Sequence, residues 1–157
     1  MKSFALLLLT FVAVSIASAE PVVFIVRHAE KAANDPKDPD LSPAGQKRAE
    51  TLAGILKDAR ITAIFTTEFK RTQETAAPLS KSTGVVPSIV SAKDYPALVA
   101  KLRQVEGAAL VVGHGNTIPA IIKALGVDAP LQITDDDYTN LLVVTLRPKP
   151  QLLRLHY

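Results

Sequence analysis

The sequence predicts an α/β fold: a three-layer α/β/α sandwich with a mostly parallel central sheet and helices on both faces. Short apolar runs rich in β-branched residues are typical of strands buried on both faces of a sheet, and three occur: Val22–Val26, Ile61–Phe65 and Ala108–Val112. Segments with helical spacing of apolar residues separate these runs. Repeated strand and helix units favour parallel strands joined by crossover helices.

Helix boundaries are marked by residues that cap helix ends. Ser42 and Pro43 supply an N-cap followed by proline at the first helical position, and Asp94 precedes apolar residues at helical spacing. Two further helices are predicted at about 71–82 and 117–125, and we expect Pro78 to kink or divide the first of these. The runs 141–146 and 152–156 are strand candidates that would add an antiparallel edge.

The first 19 residues have the pattern of a signal peptide. Lys2 is followed by the apolar run Phe4–Ile16 and then by the small-residue pattern Ala17–Ala19, so the mature chain is expected to begin at Glu20. The run is shorter than the roughly 18 apolar residues of a spanning helix, and a retained anchor is the alternative. We expect an exported protein, periplasmic or secreted, without stable membrane insertion after cleavage.

The composition limits the remaining possibilities. A chain of 157 residues less a signal peptide has room for one domain, and without cysteine it forms no disulfide. The net charge is only +3 and no basic run contains interleaved aromatic residues, so a nucleic-acid partner is not expected. The run Asp135–Asp137 lacks the ligand spacing of a calcium loop and is interpreted as a solvated loop.

Chemistry-bearing residues follow three of the predicted strands. Arg27–Glu30 follow the first strand, Lys70–Thr72 lie shortly after the second, and Gly113–Thr117 follow the third. Ligands of such sheets bind outside the carboxyl ends of the strands. Two histidines and two arginines are therefore expected to share one pocket.

These residue types suit phosphoryl transfer. Two permanently charged, fork-shaped guanidinium groups grip a tetrahedral dianion, and a neutral imidazole is a good nucleophile near pH 7. One histidine would attack phosphorus, and the other would stabilise charge in the transition state. No metal and no cofactor are required for this chemistry.

Four segments, in order, resemble the motifs of the histidine phosphatase superfamily. Arg27–Glu30 (RHAE) is similar to its R-H-G-E signature, Leu41–Gly45 to its L-[ST]-x-x-G helix start, Lys70–Ala76 to its R-[AT]-x-x-T-A segment, and Val112–Gly115 to its second-histidine motif. The resemblance is to the smaller, phosphoglycerate mutase-like branch 1, and it covers nearly all of residues 20–157. It implies a metal-independent phosphatase with a phosphoglycerate mutase-like fold.

The resemblance assigns roles to single residues. It implies that His28 is the nucleophile, that Arg27 and Arg71 clamp the phosphate, and that His114 completes the phosphate pocket. Asn34 lies where mutase-like members often carry a phosphate-contacting asparagine, although a polar loop residue would also fit there. Asp94 is a possible leaving-group acid or simply a helix cap; without an acid, substrates with good leaving groups are favoured.

Hydrolysis is expected rather than transfer, because a short chain leaves little material for a lid that would shield a phosphoenzyme from water. The expected partner is a small phosphorylated substrate or a phosphoprotein, and no sequence feature indicates an oligomeric state. Three alternatives stay open: a pseudoenzyme that binds phosphorylated ligands, a phosphomutase, and a metallohydrolase that uses both histidines with a carboxylate.

Overall fold

One six-stranded sheet organises the fold, in a computed structural model that describes residues 21–146 and 149–157. Its strands are β1 (Val22–Arg27), β2 (Ile61–Thr66), β3 (Ser88–Ile89), β4 (Ala108–Gly113), β5 (Asn140–Thr145) and β6 (Gln151–His156). Each of the five predicted strands is present, with ends that differ from the prediction by no more than one residue. The predicted signal peptide, residues 1–19, lies outside the described residues.

The order of strands across the sheet is β3-β2-β4-β1-β5-β6. The pairs β1–β4, β2–β4 and β2–β3 are parallel, whereas β1–β5 and β5–β6 are antiparallel. The predicted parallel sheet with an antiparallel edge is thus confirmed. The two-residue strand β3 was not predicted, because both of its side chains are exposed and it has no apolar pattern.

Four helices connect the strands: α1 (Pro43–Leu56), α2 (Lys70–Thr83), α3 (Tyr95–Leu102) and α4 (Ile118–Ala124). The predicted caps are confirmed, since Ser42 accepts a hydrogen bond from the Gly45 amide and Asp94 accepts one from the Ala97 amide, each at 3.1 Å. In the described part of the chain, no helix is long and apolar enough to span a membrane.

Pro78 was predicted to kink or divide its helix. It does not divide the helix, because α2 continues without a break from Lys70 to Thr83. Proline removes one backbone hydrogen bond from a helix interior. Ala76 and Leu79 flank Pro78 and are fully buried in the same apolar cluster. Their burial stabilises the turn on each side of the proline by more than one lost hydrogen bond costs.

The helices cover the sheet from both sides. Leu52 of α1 and Leu79 of α2 pack on one face with Val26, whereas the apolar side chains of α3 and α4 pack on the other face with Ile25. Neighbouring strand residues point to opposite faces of a sheet, so a continuous apolar strand serves both cores. The predicted three-layer sandwich is confirmed.

The start of α1 holds the segment that follows β1 in place. A Cβ atom on Gly45 would lie 2.3 Å from the Glu30 carbonyl oxygen, so only glycine permits this approach. The same carbonyl accepts a hydrogen bond from the Ser42 amide at 2.8 Å. Helix α1 therefore packs directly on the backbone two residues beyond His28.

This close approach predicts opposite effects for the same substitution at two positions of α1. Gly45→Ala should lower the free energy of unfolding by about 3 kcal/mol, because the new methyl group forces helix and loop apart. Gly54→Ala, where the added Cβ meets nothing within 4 Å, should raise it by about 1 kcal/mol through helix propensity. Urea denaturation measures both, and equal effects at the two positions would contradict the packing described.

Candidate active site

The parallel pairing of β1 with β4 brings the two histidines together. Arg27 is in register with Gly113, and the His28 amide donates a hydrogen bond to the Gly113 carbonyl oxygen at 3.0 Å. The His28 and His114 ring centroids lie 5.4 Å apart in an edge-on arrangement. Arg71, in the first turn of α2, completes a space that we call the strand-end pocket: Arg27, His28, Arg71 and His114.

His28 has the protonation pattern of a nucleophile. Its Nδ1 lies 2.9 Å from the Ala29 carbonyl oxygen, which can only accept, so Nδ1 carries the proton and Nε2 keeps its lone pair. Burial lowers the pKa of His28 to about 3, and the positive charges of Arg71 and Arg27 act in the same direction. The ring is therefore neutral at physiological pH.

His114 is held by the end of β2. Its Nε2 lies 3.1 Å from the Thr67 hydroxyl oxygen, and its ring packs edge-on against Phe69. Burial, with a smaller contribution from the charges of Arg71 and Arg27, lowers the pKa of His114 to about 4, although the Glu68 carboxylate acts in the opposite direction. Both histidines are thus neutral at physiological pH.

Arg27 enters the pocket with one nitrogen free. Its guanidinium donates to the Thr134 carbonyl oxygen at 2.6 Å, lies 3.5 Å from the Asp135 carboxylate and stacks over Tyr138. Its Nε is buried and has no hydrogen-bond partner among the described residues. An unsatisfied buried donor costs about 1–3 kcal/mol, which a bound anion would recover.

Arg71 shows the same incomplete satisfaction. Its guanidinium lies 3.7 Å from the Asp38 carboxylate and stacks over the Phe69 ring, while its buried Nε finds no partner within the part of the chain that is described. Burial lowers the pKa of this guanidinium, although the group stays charged at all relevant pH values. Arg27, which is buried, and Arg71, which is partly buried, thus each have a buried Nε–H group with no hydrogen-bond partner in the described chain.

Thr75 connects the nucleophile segment to α2. Its hydroxyl accepts a hydrogen bond from the Ala29 amide at 2.9 Å and donates one to the Arg71 carbonyl oxygen at 2.6 Å. Ala29 is fully buried, so the residue that replaces the signature glycine packs without exposing the turn. The backbone beside His28 and the residue that carries Arg71 are therefore fixed relative to each other.

Two predicted site residues make other contacts. The Asn34 amide donates to the Asp40 carboxylate at 2.6 Å within its own loop. Asp94 is exposed and caps α3. Neither makes a hydrogen bond to a strand-end pocket residue in the regions described, so their proposed roles toward phosphate and leaving group stay predictions.

Sequence reasoning missed several residues at the rim of the pocket. Asp135 pairs with Arg27, on which Tyr138 stacks, and Asp38 pairs with Arg71. The Glu68 carboxylate accepts a hydrogen bond from the Ala92 amide at 2.9 Å. Glu30 forms a bidentate pair with Arg48 of α1, and its carboxylate oxygens lie 2.7–3.0 Å from the guanidinium nitrogens. Of these residues, Glu30 lies within a predicted motif and Glu68 lies three residues beyond the second predicted strand; the others gave no local signal.

Comparison with known proteins decides the family. Residues 23–93 match the sequence model of the Histidine phosphatase superfamily (branch 1), a segment that contains His28, both arginines and the start of α1. The matched segment, 71 of the 157 residues, belongs to this superfamily. No curated protein sequence matches it.

Solved structures of histidine phosphatases share the fold over most of their length. A putative α-ribazole-5′-P phosphatase from Escherichia coli aligns with a TM-score of 0.72 at 14% identity, covering 88% of this chain and 97% of that one. A mycobacterial glucosyl-3-phosphoglycerate phosphatase aligns with a TM-score of 0.69 at 17% identity, covering 88% and 99%. A putative phosphohistidine phosphatase, SixA, from Agrobacterium tumefaciens aligns with a TM-score of 0.66 at 22% identity, covering 87% and 97%.

The buried histidines predict how stability depends on pH. The pKa values of His28 and His114 are lowered to about 3 and about 4 in the fold, so below pH 6.5 the unfolded chain binds more protons than the native one. Stability should therefore fall as the pH falls from 6.5 to 5, by up to about 1.4 kcal/mol per pH unit for each histidine. Urea denaturation in phosphate-free buffer measures the slope.

The matched variants are His28→Asn and His114→Asn, each of which should remove about half of that slope. The window ends at pH 5 because carboxylates begin to titrate below it. A slope that both variants retain in full would contradict the buried neutral state of the rings.

Proposed function

We propose that this histidine phosphatase superfamily member is a metal-independent phosphatase that hydrolyses a phosphomonoester or a phosphoramidate through a phosphohistidine on His28. The observation that carries the proposal is the combination at one pocket of the Nε2 lone pair of His28 with two arginines whose Nε–H groups have no hydrogen-bond partner among the described residues. Neutral imidazole and paired guanidinium groups are the chemistry that in-line attack on a phosphoryl group requires.

The proposed reaction has two steps. Nε2 of His28 attacks phosphorus, the bond to the leaving group breaks, and the Nδ1–H bond to the Ala29 carbonyl stabilises the positive charge that develops on the ring. Arg27 and Arg71 bind the equatorial oxygens, where charge is spread in a loose transition state. Water then attacks phosphorus, and inorganic phosphate leaves while His28 regains its lone pair.

A cleft beside the pocket gives room for the leaving group. It has a volume of about 390 Å³ and is lined by Arg71 and by the loop from Lys31 to Pro39. The lining residues are polar or small and include Lys31, Asp35 and Lys37. This cleft supports a polar substrate, which agrees with either a small phosphorylated molecule or a phosphorylated side chain on a protein.

The metallohydrolase alternative would need a third ligand near the two histidines. Among residues 21–146 and 149–157, no group of three or more histidine, cysteine, aspartate or glutamate side chains is placed to hold a metal ion. This arrangement favours the phosphohistidine route, and the chelation arm of the following experiment tests it.

Turnover by the chain and by His28→Ala tests the proposal. Phosphate release from aryl, alkyl and histidine phosphates should persist after prolonged chelation and fall at least about a thousandfold in His28→Ala, because loss of the nucleophile removes the covalent route. Rapid quenching at alkaline pH should trap an acid-labile phosphoryl group on His28. A phosphoryl group trapped on His28 without turnover would favour a mutase. Tight phosphate binding without a trapped phosphoryl group would favour the pseudoenzyme.

The leaving-group acid is proposed to be either Asp94 or Glu68. Asp94 is the position that the family resemblance suggests, whereas Glu68 lies nearer the pocket, where its charge acts on both His114 and Arg71. Burial raises the pKa of the Glu68 carboxyl, but hydrogen bonds from the Ala92 amide and its own amide, together with nearby positive charge, keep it below its usual value. This weakens the case for Glu68 as a proton donor.

Two isosteric variants separate these candidates. Asp94→Asn keeps a side chain that caps helices and removes only the acid, so a drop in alkyl phosphate turnover of about a hundredfold with little change for an activated aryl phosphate would identify Asp94. Glu68→Gln should show that pattern if Glu68 is the acid. An equal loss of turnover for the alkyl and the aryl phosphate would indicate that the residue binds substrate. Unchanged turnover in both variants would mean that neither carboxyl group is the general acid.

A further inference from the structure

A buried hydroxyl pair ties His114 to the first turn of α2. The Thr67 hydroxyl oxygen lies 3.1 Å from His114 Nε2 and 3.0 Å from the Thr72 hydroxyl oxygen. Thr72 is fully buried, and Thr67 and His114 are each 8% exposed. Each hydroxyl has one proton and two lone pairs, so the direction of every bond in this cluster can be assigned by counting.

The count starts at Thr72. Its hydroxyl oxygen lies 2.8 Å from the Phe69 carbonyl oxygen and accepts the Thr67 amide proton at 3.1 Å. The Thr67 carbonyl oxygen lies 3.2 Å away as a second acceptor, and since neither carbonyl can donate, the single Thr72 proton is directed at these two oxygens. The contact between the two hydroxyl groups must then use the Thr67 proton.

The same count fixes the protonation of His114. Because the Thr67 proton is directed at Thr72, the Thr67 oxygen can only accept from His114, and Nε2 must carry a proton. The second lone pair of Thr67 accepts the Phe69 amide proton at 3.4 Å. All donors and acceptors of the pair are satisfied in this arrangement alone.

We propose that Thr67 and Thr72 are positioning residues that hold the proton of neutral His114 on Nε2 and leave Nδ1 to the phosphoryl group. Nδ1 lies across the ring from Thr67 and makes no hydrogen bond to another described residue. The role of Nδ1 toward a phosphoryl group rests on the proposed function. The tautomer of His114 in the ligand-free protein does not depend on that function.

The arrangement couples phosphate binding to proton uptake. Nδ1 of the neutral ring has a lone pair, so it can donate to a phosphoryl oxygen only after taking a proton from solvent. Arg27 and Arg71 oppose a second proton on His114, the neighbouring His28 ring is neutral, and Glu68 favours protonation. A bound dianion offsets the arginine charges and tips this balance, so His114 becomes doubly protonated between Thr67 and the phosphoryl group.

The tautomer of His114 in the full chain is read from long-range proton–nitrogen correlation NMR at pH 7. The wild-type protein should show the Nε2–H form without ligand and a doubly protonated ring with inorganic phosphate. Thr72→Val frees the Thr67 proton to turn toward Nε2, so His114 should shift toward the Nδ1–H form although its own contacts are untouched. Phosphate binding by this variant should take up less proton than binding by the wild-type protein, because Nδ1 already carries the proton that it donates to a phosphoryl oxygen.

Three variants complete the test. Thr67→Ser keeps the hydroxyl and should restore the wild-type tautomer, whereas Thr67→Val should give a mixture of tautomers. Thr66→Val removes a neighbouring buried hydroxyl that has no partner among the described residues, and it should leave both tautomer and affinity unchanged. Thermal unfolding of each variant identifies any that fail to fold.

An Nδ1–H ring in the wild-type protein, or a tautomer that Thr72→Val leaves unchanged, would overturn the proposal. Because the free protein supplies this readout, the result does not depend on turnover. The expected tautomer without phosphate binding would instead count against the proposed function. Proton uptake is measured by calorimetry in buffers of different ionisation enthalpy. If the wild-type protein binds phosphate tightly without proton uptake, the coupling is wrong but the assigned tautomer stands.

Discussion

The parallel pairing of β1 with β4 is the interaction on which the rest of the site depends. Its register places Arg27 opposite Gly113, so the residues that follow each strand, His28 and His114, leave the sheet side by side. A slip of one residue would turn every side chain of β1 to the other face and separate the pair. The apolar residues that fill both cores from β1 and β4 fix this register, and the geometry of the strand-end pocket is therefore a consequence of core packing.

The carboxylates that face the two pocket arginines are weak partners, and a ligand anion can therefore replace them. Asp38 and Asp135 lie 3.7 and 3.5 Å from their guanidinium groups, and Asp135 is fully exposed. Exposed ion pairs contribute about 0–1 kcal/mol, so a phosphoryl dianion can replace them at low cost. The Glu30–Arg48 pair is shorter and bidentate, and it joins the nucleophile segment to α1 instead of facing a ligand.

The fold and the four pocket residues could be predicted because their signals are local. An apolar run defines a buried strand, and the polar residues at its end reach the ligand-binding edge of the sheet. Asp38 and Asp135 could not be predicted as partners of the arginines, since the second lies 108 positions from Arg27 and the path of its loop sets the contact. Asp94 illustrates the opposite limit: its local signal predicted the helix cap correctly and contains no information about a leaving group.

The two pocket histidines differ in protonation because different partners contact their ring nitrogens. The Ala29 carbonyl oxygen has no proton to give, so it necessarily leaves Nε2 of His28 unprotonated and nucleophilic. A hydroxyl group can donate or accept, so Thr67 alone would leave the protonation of His114 undetermined. In the arrangement that we propose, Thr72 removes this ambiguity by using the Thr67 proton. The sheet thus brings two identical side chains together, and the hydrogen-bond partners around them give the rings the different protonation that suits the roles of nucleophile and phosphate ligand that we propose.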